Sequence, residues 1–201
     1  MSVGRHVPLT SDGELPRRCK DVGWRSAAGF GTLRHMRNDT GQTLPQIQAF
    51  LEASGLAFEV WPCDDRLADT AAFCAHYGVP PDHSVNAILV RSKTAPEDMA
   101  LCMVPATHRL DVNKVVRKKL GAKKASFASP EDTRTITGME IGGVTPIGLP
   151  PGVPVWVEAS VMTLDYIILG GGNRTSKLKV PPQVFETIAG CEIVENLARP
   201  A

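Results

Sequence analysis

Residues 137–148 read TGMEIGGVTPIG, and this segment indicates more about fold and function than any other stretch of the chain. Four glycines and one proline in twelve residues predict a rigid loop that a ligand can approach closely. Gly142 and Gly143 leave main-chain N–H groups without a neighbouring Cβ, and Pro146 fixes the direction in which the chain leaves. Such a loop can direct N–H donors at a carbonyl oxygen or a developing oxyanion. The alternative is a plain tight connection between two strands.

Upstream of this loop, short helices and strands are interspersed. Thr43 is predicted to be the N-cap of a helix that ends at Gly55. A strand is expected over residues 57–61. The apolar runs 85–90 and 99–104 are rich in β-forming residues and predict an antiparallel pair of strands.

Downstream of residue 104 the same mixture of elements continues. Asp111 is predicted to cap a helix that ends at Gly121, and residues 130–137 fit a further helix. Alternation over 153–157 predicts a half-buried strand, and residues 178–180 are expected to lie in an edge strand. Because the elements follow no strict βαβ rhythm, we predict an α/β fold with a mixed, partly antiparallel or barrel-like sheet and surrounding helices.

The bulk composition is that of a globular protein. The 201 residues favour one domain, and 43% of them are hydrophobic. The net charge of +1 means that any basic surface must be local. The five cysteines form no C-x-x-C pair, which argues against a zinc ribbon or a disulfide framework. Scattered thiols, no apolar signal core and no run of about 18 apolar residues predict a cytoplasmic protein.

The first part of the chain differs from the rest. Residues 1–41 hold seven Lys/Arg, four Asp/Glu and no sustained hydrophobic period. We expect a flexible N-terminal extension, with a basic arm that touches RNA as the alternative. The folded domain is expected over residues 42–201.

No motif of a known nucleophile or metal site occurs in the sequence. There is no G-x-S-x-G, no H-E-x-x-H and no Walker A loop. The five histidines never pair at metal-ligand spacing, so no metal and no cofactor are expected. Any catalysis must then depend on positioning and main-chain dipoles.

An ordered set of short motifs adds to this interpretation. The set consists of YGVPP (77–81), MVPA (103–106), KKLGAKK (118–124), ASPED (128–132), ITG (136–138), GGVTPIG (142–148) and GGGNR (170–174). In this order, over roughly residues 43–197, the chain resembles the YbaK-type proteins and the editing domain inserted in bacterial prolyl-tRNA synthetases. The glycine–threonine–proline loop is the most specific member of the set.

The resemblance implies a YbaK-like fold and an aminoacyl-tRNA deacylase that acts in trans. Such domains hydrolyse the ester between tRNA and a small wrong amino acid of the Ala, Cys or Ser class, often on tRNA for proline. The implied partners are aminoacyl-tRNA and an aminoacyl-tRNA synthetase, with no membrane and no DNA. A hydrolytic site is needed in addition to the synthetase pocket, because that pocket discriminates only weakly between amino acids that differ by one methylene or hydroxyl group.

The resemblance also implies the residues of the site. In the family this loop lines the aminoacyl pocket, and a water molecule makes the attack. The predicted catalytic residues are Asn86, Gly142, Thr145 and Glu158. The predicted substrate-binding residues are Gly143, Val144, Pro146, Gly172 and Asn173. A solvated carboxylate at Glu158 and a purely turn-forming Asn173 are the alternatives.

Asn86 is a departure from the family pattern. Family members usually carry a lysine at the start of the strand after the Gly-Val-Pro-Pro turn, where it anchors the substrate. Asparagine can still hydrogen-bond a carbonyl group or an adenosine, but it has no charge and a shorter reach. The alternative function is therefore a catalytically impaired module that binds tRNA or a nucleotide. An unrelated small-molecule ester is a third possibility.

A basic surface is expected on the helix after Asp111. Its cationic side chains lie opposite the valine stripe and continue into the following turn. The predicted tRNA-binding residues are Lys114, Arg117, Lys118, Lys123 and Lys124. A merely solvated helix face is the alternative.

Overall fold

The computed structural model describes residues 41–201 and a two-residue strand at 5–6. Apart from that strand and Gly41, the predicted extension over residues 1–41 lies outside the described residues. The helices are α1 (Pro45–Ser54), α2 (Thr70–Tyr77), α3 (Arg117–Lys119) and α4 (Pro130–Thr137). The strands are β1 (Arg5–His6), β2 (Glu59–Pro62), β3 (Val85–Ser92), β4 (Met99–Pro105), β5 (His108–Leu110), β6 (Ala125–Phe127), β7 (Val155–Glu158), β8 (Ile167–Gly170), β9 (Ser176–Val180), β10 (Cys191–Val194) and β11 (Ala198–Pro200). None of the described helices has the length and apolarity needed to cross a bilayer.

The larger sheet has five strands in the order β10-β7-β4-β3-β6. Strands β3 and β4 are antiparallel, with Asn86 opposite Val104 and Leu89 opposite Leu101, which confirms the predicted pair. Strand β7 runs parallel to both β4 and β10. Strand β6 lies at one edge and pairs with the far end of β3, where Phe127 is opposite Val90.

The second sheet has four strands in the order β1-β2-β9-β8, and a two-stranded sheet joins β11 to β5. An isolated parallel bridge between Ser84 and Ile168 connects the start of β3 to β8, so the two main sheets adjoin there. The mixed α/β fold is therefore confirmed, with both parallel and antiparallel pairs.

The main core lies between the inner faces of these two sheets. Alternate residues of β3, β4, β7, β8 and β9 point into it, as the period of two in a strand requires. Helix α1 adds Ile47 and Leu51, and the glycine-rich loop adds Val144 and Ile147. The outer faces carry two smaller clusters, one around Trp156 and Val116 and one around Phe73 on α2.

Three local predictions need correction. Helix α1 begins at Pro45 with Leu44 as its N-cap, because the Thr43 hydroxyl donates to the Gly171 carbonyl oxygen at 2.6 Å instead of capping the helix. Strand β9 is not an edge strand, since β2 and β8 flank it. Strand β7 is buried on both faces rather than half-buried. Its neighbours are parallel strands, and parallel strands are normally covered on both faces.

The predicted helices at 112–120 and 130–137 are present. Asp111 accepts from the Lys114 N–H at 3.0 Å, although the first turn after it, Val112–Val116, is a π-helix. Helix α4 covers the predicted range and has Pro130 in its first turn. Ser129 caps it by accepting from the Asp132 N–H at 3.0 Å.

Candidate active site

The glycine-rich loop packs directly against the turn between β8 and β9. The Gly172 N–H donates to the Gly143 carbonyl oxygen at 2.7 Å, and the Glu140 N–H donates to the Gly172 carbonyl oxygen at 3.1 Å. A Cβ at Gly143 would overlap the main chain of Asn173, and a Cβ at Gly170 would overlap the main chain of Gly143. Glycine is therefore required on both sides of this contact.

Several polar groups in the loop have no partner among the described residues. The main-chain N–H groups of Gly142 and Val144 donate to no acceptor within the described part of the chain. Thr145 is fully buried, and its hydroxyl is the one buried side-chain oxygen that lacks a hydrogen bond among the described residues. Because buried polar groups are normally satisfied, the unpaired Thr145 hydroxyl favours a ligand site over a plain connection.

Lys177 on β9 brings a positive charge to this loop. Its Nζ donates to the Gly142 carbonyl oxygen at 2.7 Å and to the Ala68 carbonyl oxygen at 3.0 Å. The side chain is only 6% exposed, and the ammonium lies 5.3 Å from the centre of the Phe73 ring. No carboxylate of a described residue lies within ion-pair distance of it. Burial lowers the pKa of this lysine below 10.5.

Asn86 lies beside the same junction. Its Oδ1 accepts from the Thr70 hydroxyl at 2.7 Å, and Thr70 is the first residue of α2. Thr70 is two residues beyond Ala68, whose carbonyl oxygen receives the Lys177 ammonium. The start of α2 therefore connects Asn86 to the glycine-rich loop through Lys177.

The turn of Gly172 and Asn173 is held by its own hydrogen bonds. The Asn173 Oδ1 accepts from the Thr175 N–H at 3.1 Å and from the Ser176 hydroxyl at 2.7 Å, while its Nδ2 donates to the Gln42 carbonyl oxygen at 2.7 Å. Both ends of the amide are occupied, so Asn173 organises the turn. Its main chain contacts Gly143.

Glu158 does not join the groups that meet at Gly142. One carboxylate oxygen accepts from the Ala198 N–H at 2.8 Å and the other from the Ser160 N–H at 3.4 Å. The side chain is 6% exposed and faces the same side of the sheet as Trp156. Glu158 is thus neither a solvated carboxylate nor a free base, because two main-chain donors occupy it.

Three of the five predicted basic residues lie together, at the other end of β3 from Asn86. Arg117, Lys123 and Lys124 line a cavity of about 280 Å³, together with Lys93. The Arg117 Nε donates to the Asn113 carbonyl oxygen at 2.7 Å, which fixes the guanidinium at the cavity wall. Lys114 and Lys118 are exposed but do not line the cavity.

Comparison with known proteins identifies the fold and the family. Residues 64–188 match the family described as the aminoacyl-tRNA editing domain. The chain belongs to this family. Two solved structures share the editing-domain fold at 20% identity. One is the hypothetical protein APE2540, with a TM-score of 0.68 over 77% of this chain and 99% of that one. The other is a proposed trans-editing enzyme for prolyl tRNA synthetase, with a TM-score of 0.64 over 77% of this chain and 98% of that one.

A curated relative matches part of the editing domain. The uncharacterized protein YwhH of Bacillus subtilis (strain 168) is 31% identical over 86 residues, which are 43% of this chain. The matched region spans about half of that relative, 54% of its length. It therefore adds no assignment of activity to the editing domain.

Lys177 is the residue of this site that sequence reasoning did not find. A lysine in a strand expected at a sheet edge is normally solvated, so its position gave no signal. The available indication was the polar–apolar alternation of Ser176–Val180, which predicts that Lys177 and Lys179 share one face. Only the pairing of β9 between β2 and β8 buries that face beneath α2.

His83 stabilises the turn that leads into β3 and Asn86. Its Nδ1 is 3.0 Å from the Asp82 Oδ1, and its Nε2 is 3.1 Å from the Asp165 Oδ1. Burial lowers the pKa of His83, but the hydrogen bonds to the two carboxylates outweigh it, so the pKa lies above 6.5.

We expect the editing domain to lose a small amount of stability as pH rises above neutrality. Protonated His83 is favoured in the folded state, so its contribution is complete below pH 6.5 and disappears as pH rises through the raised pKa. The difference should stay below about 1 kcal/mol, since both carboxylates are mostly exposed. Urea unfolding of wild type and His83→Gln between about pH 6 and pH 8 measures it. If the free energy of unfolding changes with pH equally in the two proteins, this assignment is wrong.

Proposed function

We propose that this protein hydrolyses mischarged aminoacyl-tRNA in trans, releasing a small amino acid of the Ala, Cys or Ser class. The observation that carries the proposal is the set of unused donors in the loop beside a buried ammonium group. An aminoacyl ester is already activated, so its hydrolysis needs mainly orientation of water and stabilisation of an oxyanion. Membership of the aminoacyl-tRNA editing domain family supports the same substrate class.

The loop supplies the oxyanion donors in this mechanism. The free N–H groups of Gly142 and Val144 point to the ester carbonyl oxygen and strengthen their hydrogen bonds as negative charge develops on it. Lys177 has three N–H donors and uses two of them on carbonyl groups, which leaves the third for the same oxygen. The proton lost by the attacking water goes to the leaving ribose oxygen of the tRNA.

The burial of the loop supports a small amino acid. Gly143, Val144, Thr145 and Pro146 are all buried, so a ligand held at this loop has little room for a long side chain. The unpaired hydroxyl of Thr145 is a hydrogen-bond partner for a hydroxyl or thiol group on the amino acid. We therefore place serine and cysteine beside alanine as substrates, with tRNA for proline as the first tRNA to test.

The second candidate function is a module that binds aminoacyl-tRNA without turnover. It is favoured by Asn86, whose carbonyl oxygen is already bonded to Thr70 and which carries no charge. In this case the loop would hold the ester, and no group would accelerate its hydrolysis.

A panel of charged tRNAs distinguishes the two functions. The protein is incubated with tRNA for proline charged with alanine, cysteine, serine or proline, and the loss of ester is followed against the uncatalysed rate. We expect loss with the three small wrong amino acids and none with proline. Tight binding of every charged tRNA with no ester loss would refute the deacylase and support the binding module.

The variant Asn86→Lys tests the role of this position. If wild type is a deacylase whose charge comes from Lys177, a second ammonium repels the first, and we expect activity to fall about tenfold. If wild type is an impaired module, the same substitution should instead create ester hydrolysis. Thr70→Val is the matched control, since it removes the hydrogen bond to Asn86 without adding charge.

A further inference from the structure

The edge strand β6 exposes an aromatic ring beside the basic residues. Phe127 is 60% exposed, more than any other large hydrophobic side chain in the described part of the chain. An exposed aromatic ring on an edge strand is available for contact with another molecule.

Two adjacent cavities make this region a continuous groove. The cavity of about 280 Å³ is lined by Lys93, Arg117, Lys123 and Lys124. The second, of about 340 Å³, is lined by Phe127 and Arg199 among others. The two share Asn113 and Ala125, so one half of the groove is cationic and the other half carries the ring.

The charge of the groove is not neutralised by the protein. The only carboxylate that lines either cavity is Asp111, and it is engaged by the Lys114 N–H as a helix cap. Lys93, Lys123 and Lys124 form no ion pair with any described residue. A row of free cations next to an aromatic face is the combination that binds a nucleic acid strand, with phosphates on the cations and a base stacked on the ring.

The groove lies on the same face of the sheet as Asn86. Phe127 pairs with Val90, and residues 86 and 90 on β3 point to the same side because side chains alternate. Four residues of strand separate them by about 13 Å. Stacked nucleotides with a rise of about 3.4 Å cover this distance in about four residues.

We propose that this groove binds the unpaired 3′ segment of the tRNA, with one base stacked on Phe127 and the preceding phosphates on Lys93, Arg117, Lys123 and Lys124. This inference rests on the proposed function for its choice of tRNA and for the direction of the RNA strand. In that direction the terminal adenosine lies towards Asn86. It makes Phe127 a determinant of tRNA affinity at a distance from the reacting ester.

The test measures binding of the full chain to uncharged tRNA for proline and to the same tRNA lacking its unpaired 3′ nucleotides. Phe127→Ala should weaken binding of the intact tRNA about tenfold, and Phe127→Trp should restore it. Ile193→Ala is the matched control, because Ile193 is 43% exposed on β10 at the opposite edge of the sheet. It should leave the affinity unchanged.

The salt dependence of binding tests the cationic half separately. Lys123→Gln and Lys124→Gln should each reduce the slope of log Kd against log salt by about one. Arg134→Gln, an exposed cation on α4 outside the groove, should not change it.

Three outcomes would overturn the inference. If Phe127→Ala binds tRNA with wild-type affinity, stacking is excluded. If its affinity falls equally for the truncated tRNA, the contact is to the duplex instead. If Lys123→Gln and Arg134→Gln give the same slope of log Kd against log salt, phosphate binding in the groove is excluded. Because these measurements use uncharged tRNA, they remain valid if the deacylase assay fails. Conversely, if wild type hydrolyses the ester and Phe127→Ala binds tRNA as tightly as wild type, this inference is refuted and the proposed function is not.

Discussion

Substituting Gly143 with alanine is expected to remove most ester hydrolysis and to destabilise the fold. The new Cβ would overlap the main-chain N, C and O atoms of Asn173, which cannot rotate away as a side chain can. The loop and the turn before β9 must then separate. We expect the free energy of unfolding to fall by about 2 kcal/mol, as in other overpacked sites. Hydrolysis should fall about 100-fold, because a displacement of about 1 Å is enough to cost that factor.

The measurement combines urea unfolding with single-turnover ester hydrolysis at a temperature where the variant remains folded. Gly152→Ala is the control, since Gly152 lies in another turn and has nothing within 4 Å of an added Cβ. Gly152 has a φ of +92°, so the control bears a backbone strain that Gly143→Ala does not. Full activity and stability in Gly143→Ala would mean that the contact with Asn173 does not define the site.

Local signals predicted much of the fold because they act over a few residues. Asp111 caps the helix that follows it, as expected from its short acceptor side chain, and the helix at 130–137 begins at Pro130. The pairing of β3 with β4 follows from two apolar runs joined by a short polar loop. Such features need no knowledge of the rest of the chain.

The predictions that failed concern features that depend on pairing between distant parts of the sequence. Strand β9 was expected at an edge, yet Lys179 lies opposite Glu59, 120 residues earlier in the sequence. No local pattern encodes that contact. Thr43 is a comparable case, because its hydroxyl has a partner at Gly171 rather than in the helix that follows it.

The same distinction applies to the candidate site. The glycine-rich loop was recognisable from composition. The roles of Gly142 and Thr145 stay predictions, and the structure adds that the Gly142 N–H and the Thr145 hydroxyl have no partner among the described residues. Glu158 was assigned from its place after a valine strand, but the partner that occupies it, Ala198, comes from a strand 40 residues later. A carboxylate's availability depends on such distant donors and is not readable from its own neighbourhood.

Removal of the Lys177 charge should have the largest effect on catalysis. We expect Lys177→Met to lower ester hydrolysis at least about 100-fold, as the loss of one oxyanion donor does elsewhere. Stability should change by less than about 1 kcal/mol, since the loss of two hydrogen bonds is offset by removal of a buried, unpaired charge. Urea unfolding and single-turnover hydrolysis measure the two quantities separately. A wild-type rate in Lys177→Met would exclude a catalytic role for the ammonium.

The pH profile separates a catalytic charge from a structural one. Because burial lowers the pKa of Lys177 below 10.5, wild-type hydrolysis, corrected for the uncatalysed rate, should decline at a lower pH than an ordinary lysine would give. Lys177→Arg keeps its charge throughout, so it should retain measurable activity without that decline.

The effect of rising pH on the stability of the fold has the opposite sign to its effect on activity. The unfolded chain binds more protons between the lowered pKa and 10.5, so wild type gains stability relative to Lys177→Met as pH rises through this range. This rise in stability follows from the lowered pKa whatever the role of the lysine, so the activities decide. A decline in wild-type hydrolysis that Lys177→Arg does not show assigns the charge to the reaction.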